Sequence, residues 1–209
     1  MHPRRTALTT TMPPNQSITF FDTQFQKQVA ANEFALNPFE TVALPFVRGR
    51  VLDFGCGLGN LGIEAARRGA TVTAVDASET AIARIRAAAE AEKLPLTAVL
   101  ADVRRFPFSE PFDTIVAIGL LMFFRREVAL EQLGRIQEHV ASGGRAVVNV
   151  LVEGTTFLGM FEPDDYTLFG RDELEQRFAD WNILLSRHDE FAAPGNTQKA
   201  FATLIAEKY

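Results

Sequence analysis

The stretch Val51-Leu-Asp-Phe-Gly-Cys-Gly-Leu-Gly-Asn60 gathers residues whose types and spacing could do chemistry. An apolar run enters Asp53, glycines follow at 55, 57 and 59, and a helix-period segment begins at Leu61. Glycine is required where a backbone turns sharply and a ligand must approach it without a Cβ in the way. The unpaired N–H groups of the helix that follows point back at such a loop. Asp76 closes the next apolar run about 20 residues on, where a carboxylate can accept hydrogen bonds from both hydroxyls of a ribose. The ligand implied is a cofactor that carries a nucleoside.

Two such cofactors fit the spacing. Gly57, Gly59 and Gly62, followed by Asp76, spell the dinucleotide fingerprint and would suit a nicotinamide-dependent oxidoreductase. Three features point instead to S-adenosylmethionine. A carboxylate at Asp53, ahead of the first glycine, suits the cationic amino group of a methionine tail and would be badly placed beside a pyrophosphate. Asp102, closing the run Leu96–Ala101, stands where a third strand could meet an adenine amino group. The third feature is the order of elements at the end of the chain.

Those elements alternate. Val51–Phe54, Ala70–Val75, Leu96–Ala101, Thr114–Ile118 and Ala146–Val152 are short, continuous apolar runs rich in β-branched residues, as strands buried on both faces require. Between them, Leu61–Arg68, Glu79–Lys93 and Arg126–Val140 have helical period, with Ser78 placed to cap the second. Strand–helix alternation implies right-handed crossovers and an α/β three-layer sandwich. After a short helix at Arg171–Ala179 the rhythm breaks. Trp181–Ser186 and Ala200–Ala206 read as strands joined through Arg187–Lys199, whose Pro194, Gly195 and Asn196 are turn residues. They should pair antiparallel, whereas a dinucleotide fold would need another parallel strand.

Taken together, VLDFGCGLGN at 51–60, VTAVDAS at 72–78, ADV at 101–103, FDTIVAI at 112–118 and GGRAVVNV at 143–150 resemble the class I S-adenosylmethionine-dependent methyltransferases. The resemblance implies a seven-stranded mixed sheet of order 3-2-1-4-5-7-6 inside the αβα sandwich, with the cofactor across the carboxyl ends of strands 1, 2 and 3. By position, it implies that Phe54, Gly55, Cys56, Gly57 and Gly59 line the methionine and ribose, with Asp53 near the amino group. Asp76 would hold the ribose hydroxyls and Ala77 would lie against adenine. Asp102 and Val103 would flank the adenine edge, and Ile118 and Gly119 would close the pocket near the sulfonium.

The end of the fourth strand, Ala117-Ile-Gly-Leu-Leu-Met-Phe-Phe124, bears on the methyl acceptor. It lacks the [D/N]-P-P-[Y/F] pattern of enzymes that methylate nucleic-acid amino groups. It also lacks the cysteine nucleophile of cytosine-C5 chemistry, since the single cysteine, Cys56, lies in the glycine loop and reads as a small packed side chain. The segment GLLMFFRREVALEQLGRIQEHVASGGRAVVNVLV, with Trp181 and FATLIAEK at 201–208, is similar to the tellurite-resistance methyltransferases. That similarity implies a chalcogen oxyanion, or a related soft nucleophile such as a small thiol, as acceptor. The family carries a histidine–arginine pair near its last hairpin and a further arginine close to the final strand. Here Arg187 precedes His188, and the later position reads Asn196-Thr-Gln-Lys199. Arg187 and His188 are the candidate acceptor-handling residues.

A dry pocket is expected from Phe21 and Phe25 of the N-terminal segment, Phe123 after strand four, and Phe157, Phe161, Tyr166 and Phe169 of the following loop. Helices across 20–47 are expected to pack on the sheet and form a lid. Asp164 and Asp165 read as a solvated loop, and His139 as a solvent-facing helix end. The sparse polar groups on the acceptor side leave a further reading open, a cofactor-binding module without turnover.

The bulk composition sets the outer limits. The 209 residues are 47% hydrophobic and 22% charged, enough for one buried core, and the net charge of −5 lacks the basic excess with which nucleic-acid binders grip phosphates. One cysteine excludes an intramolecular disulfide and any cysteine-rich zinc site, so no metal is expected. No run of about 18 apolar residues suggests a membrane span. The expected organisation is a disordered tail over 1–17 and one domain over 18–209. The expected partner is a small-molecule acceptor, the setting cytoplasmic, and the state a monomer or dimer.

Overall fold

Alternating apolar runs become strands here because each can bury both faces only between helices. The computed structural model describes residues 16–209. Strands β1 (Arg50–Phe54), β2 (Thr71–Asp76), β3 (Leu96–Leu100), β4 (Phe112–Ile118), β5 (Val140–Leu151), β6 (Asn182–Ala193) and β7 (Thr197–Glu207) form one sheet in the order β3-β2-β1-β4-β5-β7-β6. The first five pair parallel, while β7 lies antiparallel between β5 and β6. This is the mixed sheet that the resemblance implies. The antiparallel β7 leaves no place for the further parallel strand of the dinucleotide reading.

Helices α3 (Asn60–Arg67), α4 (Glu79–Glu92), α5 (Arg126–His139) and α6 (Glu173–Arg177) join or flank the strands. Ser78 caps α4, its hydroxyl accepting from the Ala81 N–H at 3.1 Å. Residue alternation sorts the core into two layers. Leu52, Phe54, Ile115, Ala117 and Val148 pack with Leu133 and Ile136 of α5, while Val51, Val72, Ala74, Val116 and Val147 pack with Leu61, Ile63, Ile82 and Ile85.

One expectation needs correction. The connection read as Arg187–Lys199 is only Pro194–Asn196, with Gly195 and Asn196 at positive φ, so β6 runs on through Arg187 and His188. The N-terminal segment forms two helices, α1 (Gln16–Ala30) and α2 (Pro38–Ala43). Asn37 separates them by capping α2: its Oδ1 accepts from the Phe39 and Glu40 N–H groups, while Glu40 accepts from the Asn37 N–H. The expected tail over 1–17 lies outside the described residues as far as residue 15, and Gln16 and Ser17 open α1. Among the described residues no helix is long and apolar enough to cross a membrane.

Candidate functional site

A cavity of about 550 Å³ opens over the carboxyl ends of β1, β2, β3 and β4, where open parallel sheets leave a crevice for ligands. Its floor is the glycine loop. The Gly55 and Cys56 N–H groups donate to Val75 O at 2.9 and 3.1 Å, which ties the loop to the end of β2. Gly57, at φ +52°, donates to Asp76 Oδ2 at 2.9 Å, and a Cβ there would meet the Phe25 ring at 3.1 Å. Gly59 has a different task. It is the left-handed N-cap of α3, a conformation that glycine adopts at no steric cost, and a Cβ would collide with Ile85.

Asp76 is braced rather than free. Its Oδ1 accepts from the Ser78 N–H at 2.9 Å and its Oδ2 from Gly57, which leaves each oxygen a further lone pair for a hydroxyl donor. Burial raises its pKa above the usual carboxylate value, against the pull of the Ser78, Gly57 and Ala77 amides. Asp53 is more isolated. It is 5% exposed, and its Oδ2 is buried with no hydrogen-bond partner among the described residues. Burial, with the Glu40 and Asp76 charges, pushes its pKa up to about 7, and the Gly62 amide opposes this weakly. A buried carboxylate oxygen without a donor is costly unless something cationic completes it.

Asp102 is already engaged. It caps the Val103–Arg105 turn and accepts from the Arg104 guanidinium at 2.9 Å through Oδ1 and 2.7 Å through Oδ2. Burial acts to raise its pKa, but the Arg104 side chain and backbone hydrogen bonds prevail and hold it below the usual value. Any reading of an adenine amino group would therefore share Asp102 with Arg104. Cys56 lines the cavity with its thiol pushed well above the ordinary range by burial, then by Asp53 and Asp76, which leaves it a poor nucleophile.

Residues 17–40, which line the opening, are tied to the rest of the domain at two places. Asp22 of α1 accepts from Ser78 Oγ, while Asn60 Nδ2 donates to Ala35 O at 3.3 Å. Arg84 lies over the Phe34 ring at 3.9 Å and donates to Leu58 O. Phe21, Phe25 and Phe123 line the cavity, with Phe21 edge-on to Phe123 at 4.9 Å.

The structure thus brings Asp53, Gly55, Cys56, Gly57, Asp76, Ala77, Asp102, Val103, Ile118 and Gly119 to one cavity, with Phe21, Phe25 and Phe123 opposite. Others fall elsewhere. Phe54 points into the core against Phe108 and Phe106 because successive side chains on β1 alternate faces. Tyr166 stacks on Phe161, which packs on Phe123, one layer behind the wall. Phe169 is core, Phe157 lies beneath the Lys199 ammonium, and Asp165 accepts from the Arg125 N–H at 3.2 Å beside exposed Asp164. His139 ends α5 but is half-buried against Phe108. Arg187 and His188 do not line the cavity: as part of the edge strand β6, Arg187 pairs with Asp189, and His188 Nε2 lies 2.8 Å from Arg171 O.

Sequence reasoning missed Asn149, Met122, Met160, Glu40, Phe39 and Phe201, all of which line the cavity. One had a visible signal. Asn149 is a lone amide inside the apolar run Ala146–Val152, and a polar side chain in a buried strand needs a partner.

The chain is similar in sequence and in fold to known methyltransferases. Residues 51–144 match the family described as "Methyltransferase domain". A Haemophilus influenzae relative named "Probable S-adenosyl-L-methionine-dependent methyltransferase TehB" is 32% identical over 168 residues, 76% of this chain and 57% of that relative. This chain therefore spans little more than half that relative's length. The crystal structure of TehB from Haemophilus influenzae superposes with a TM-score of 0.72 at 25% identity, covering 90% of this chain and 67% of that one. A Burkholderia thailandensis 1,6-didemethyltoxoflavin-N1-methyltransferase, solved with its substrate and S-adenosylhomocysteine, shares the fold at a TM-score of 0.65 and 19% identity, covering 96% and 93% of the two chains.

Proposed function

We propose that the chain carries a class I S-adenosylmethionine-dependent methyltransferase domain resembling TehB and that it methylates a small soft acceptor, either a chalcogen oxyanion such as tellurite or selenite or a small thiol. The observation that supports the cofactor part of this reading is the buried Asp53 Oδ2, without a hydrogen-bond partner among the described residues, beside a glycine loop already pinned to Asp76; the resemblance to TehB supports the acceptor class. A cationic amino group would complete Asp53, and ribose hydroxyls would meet the remaining lone pairs of Asp76. The bound cofactor supplies an electrophilic methyl group on a sulfonium.

The protein's own contribution is position and dryness. A soft acceptor needs little proton transfer, so alignment and exclusion of water supply most of the acceleration. Gly57 and Asp76 hold one end of the ligand, and Ile118 with Gly119 bound the place where the reacting atoms meet. Phe21, Phe25 and Phe123 close over them, with α1 fastened by Asp22 to Ser78. Cys56 takes no part as a nucleophile, and Arg187 and His188 stand apart from the reaction.

The test is release of S-adenosylhomocysteine from S-adenosylmethionine in separate reactions with tellurite, selenite and a small thiol. Acceptor-dependent release above the acceptor-free blank is expected in at least one. Tight S-adenosylhomocysteine binding with no release in any reaction would instead favour a binding module without turnover.

A further inference from the structure

The end of the cavity away from Asp76 and Asp102 carries two polar side chains that the cofactor cradle does not use. Asn149 is fully buried; its Nδ2 donates to Thr203 Oγ1 at 2.9 Å, and its Oδ1 has no partner among the described residues. Lys199 lines the same cavity, half-buried, with its ammonium 4.7 Å from the centre of the Phe157 ring and no carboxylate partner among the described residues. Burial holds its pKa below the usual lysine value. The other cation of the wall, Arg104, is committed to Asp102.

Strand register fixes how far apart the two lie. Asn149 faces Thr203 across the β5–β7 ladder, and Leu151 faces Phe201. Alternate residues share a face, so Lys199, Phe201 and Thr203 line up with Asn149 and Leu151 on one side of the sheet. From Thr203 to Lys199 is ~13 Å of strand. Phe123, Met122, Met160 and Phe201 also line this cavity. A bare oxyanion is too small to touch both polar groups, and it would shed its hydration against apolar walls.

We propose that this end of the cavity is a subsite for a small organic anion: its carboxylate held by Lys199, its apolar body among Phe123, Phe201 and Met122, and its thiol or hydroxyl donating to Asn149 Oδ1. The proposal rests on the reading of a small soft acceptor and selects an anionic thiol over a bare chalcogen oxyanion. An ammonium with no protein carboxylate to neutralise it gains most from an anion that arrives with its own apolar cover.

The probe is 4-mercaptobenzoate, titrated calorimetrically into the full chain with and without saturating S-adenosylhomocysteine, at a pH between the pKa values of its carboxyl and its thiol so that the thiol keeps the proton it donates. Benzenethiol, which lacks the carboxylate, and selenite, which lacks the apolar body, are titrated alongside. The carboxylated thiol should bind about tenfold more tightly than benzenethiol, with no saturable selenite isotherm. Lys199→Gln should erase that tenfold preference, Lys199→Arg should restore most of it, and benzenethiol should be indifferent to both. Equal affinity for the two thiols, a selenite isotherm tighter than that of 4-mercaptobenzoate, or an unmoved Lys199→Gln would each overturn the subsite. S-adenosylhomocysteine titrated alone reports on the cofactor reading separately. If it binds while the thiols do not discriminate, only the subsite fails.

Discussion

The two halves of the cavity are built in different ways. The half around Asp53, Gly57 and Asp76 is made of backbone amides and carboxylates at the ends of adjacent parallel strands, locked by hydrogen bonds within one β1-α3-β2 unit. The half around Phe123, Phe201, Asn149 and Lys199 is made of side chains from α1, the end of β4, β5 with the loop after it, and β7, and is held mainly by packing. The first half depends on contacts within one short stretch of chain. The second can be rebuilt for a new acceptor without disturbing the first, which is how one fold comes to host many substrates.

Four perturbations would break or sharpen that contrast. The largest effect is expected from Asp76→Ala, which removes the proposed ribose acceptor and frees the Gly57 and Ser78 amides together. Affinity for S-adenosylhomocysteine, measured by calorimetry, should fall about 100-fold. A loss under fivefold would mean that Asp76 does not organise this half.

Next comes pH. With Asp53 at about 7, only a minor fraction is ionised at pH 6, so S-adenosylhomocysteine should bind about tenfold more weakly at pH 6 than at pH 8. Asp53→Asn should flatten that dependence. The stability of the free protein runs the other way. A carboxyl whose folded pKa is raised binds more protons in the folded state than in the unfolded one between about 4 and 7. Its contribution is full below the unfolded value and is lost as pH climbs through about 7. The melting temperature should therefore drop from pH 5 to pH 8, and saturating S-adenosylhomocysteine should cancel much of the drop.

Asp22→Ala cuts the tie between α1 and Ser78, a hydrogen bond to a charged group at a partly exposed place. S-adenosylhomocysteine affinity should fall by about three- to tenfold, with faster dissociation in stopped-flow displacement. The smallest effect on cofactor affinity should come from Phe123→Ala, within about twofold. The same change should destabilise the protein by about 3 kcal/mol in urea unfolding, because it empties a buried aromatic site. A large loss of cofactor affinity in Phe123→Ala would show that the two halves are not independent.

The contrast also explains what could be read from the residues in order. The strands, the sheet order and the cradle depend on local patterns: apolar runs, the glycines at 55, 57 and 59, and the acids that close β1, β2 and β3. The acceptor half depends on contacts between segments far apart in the chain. Asn149 and Thr203 meet only because β7 slots beside β5, and no local pattern announces Phe201 or Lys199 as cavity walls. Arg187 and His188 fall outside the cavity for the same kind of reason. The turn residues Pro194, Gly195 and Asn196 suggested a long loop, but they need only three positions, and cross-strand pairing drew the flanking residues into the ladder. Asp102 does line the cavity, but nothing in the run of residues shows that Arg104 folds back onto it.

The place of β7 inside the sheet has a consequence for how the protein is made. A ribosome delivers β1 to β5 first, and these can pair in order of synthesis, but β5 keeps one edge bare until residues 197–207 emerge and slide in between it and β6. An apolar edge left open in a nascent chain invites pairing with another chain. Translational pausing late in the message, or a frameshift that spoils Ala200–Ala206, would therefore expose a growing polypeptide to aggregation at the moment when most of its cofactor cradle had already formed.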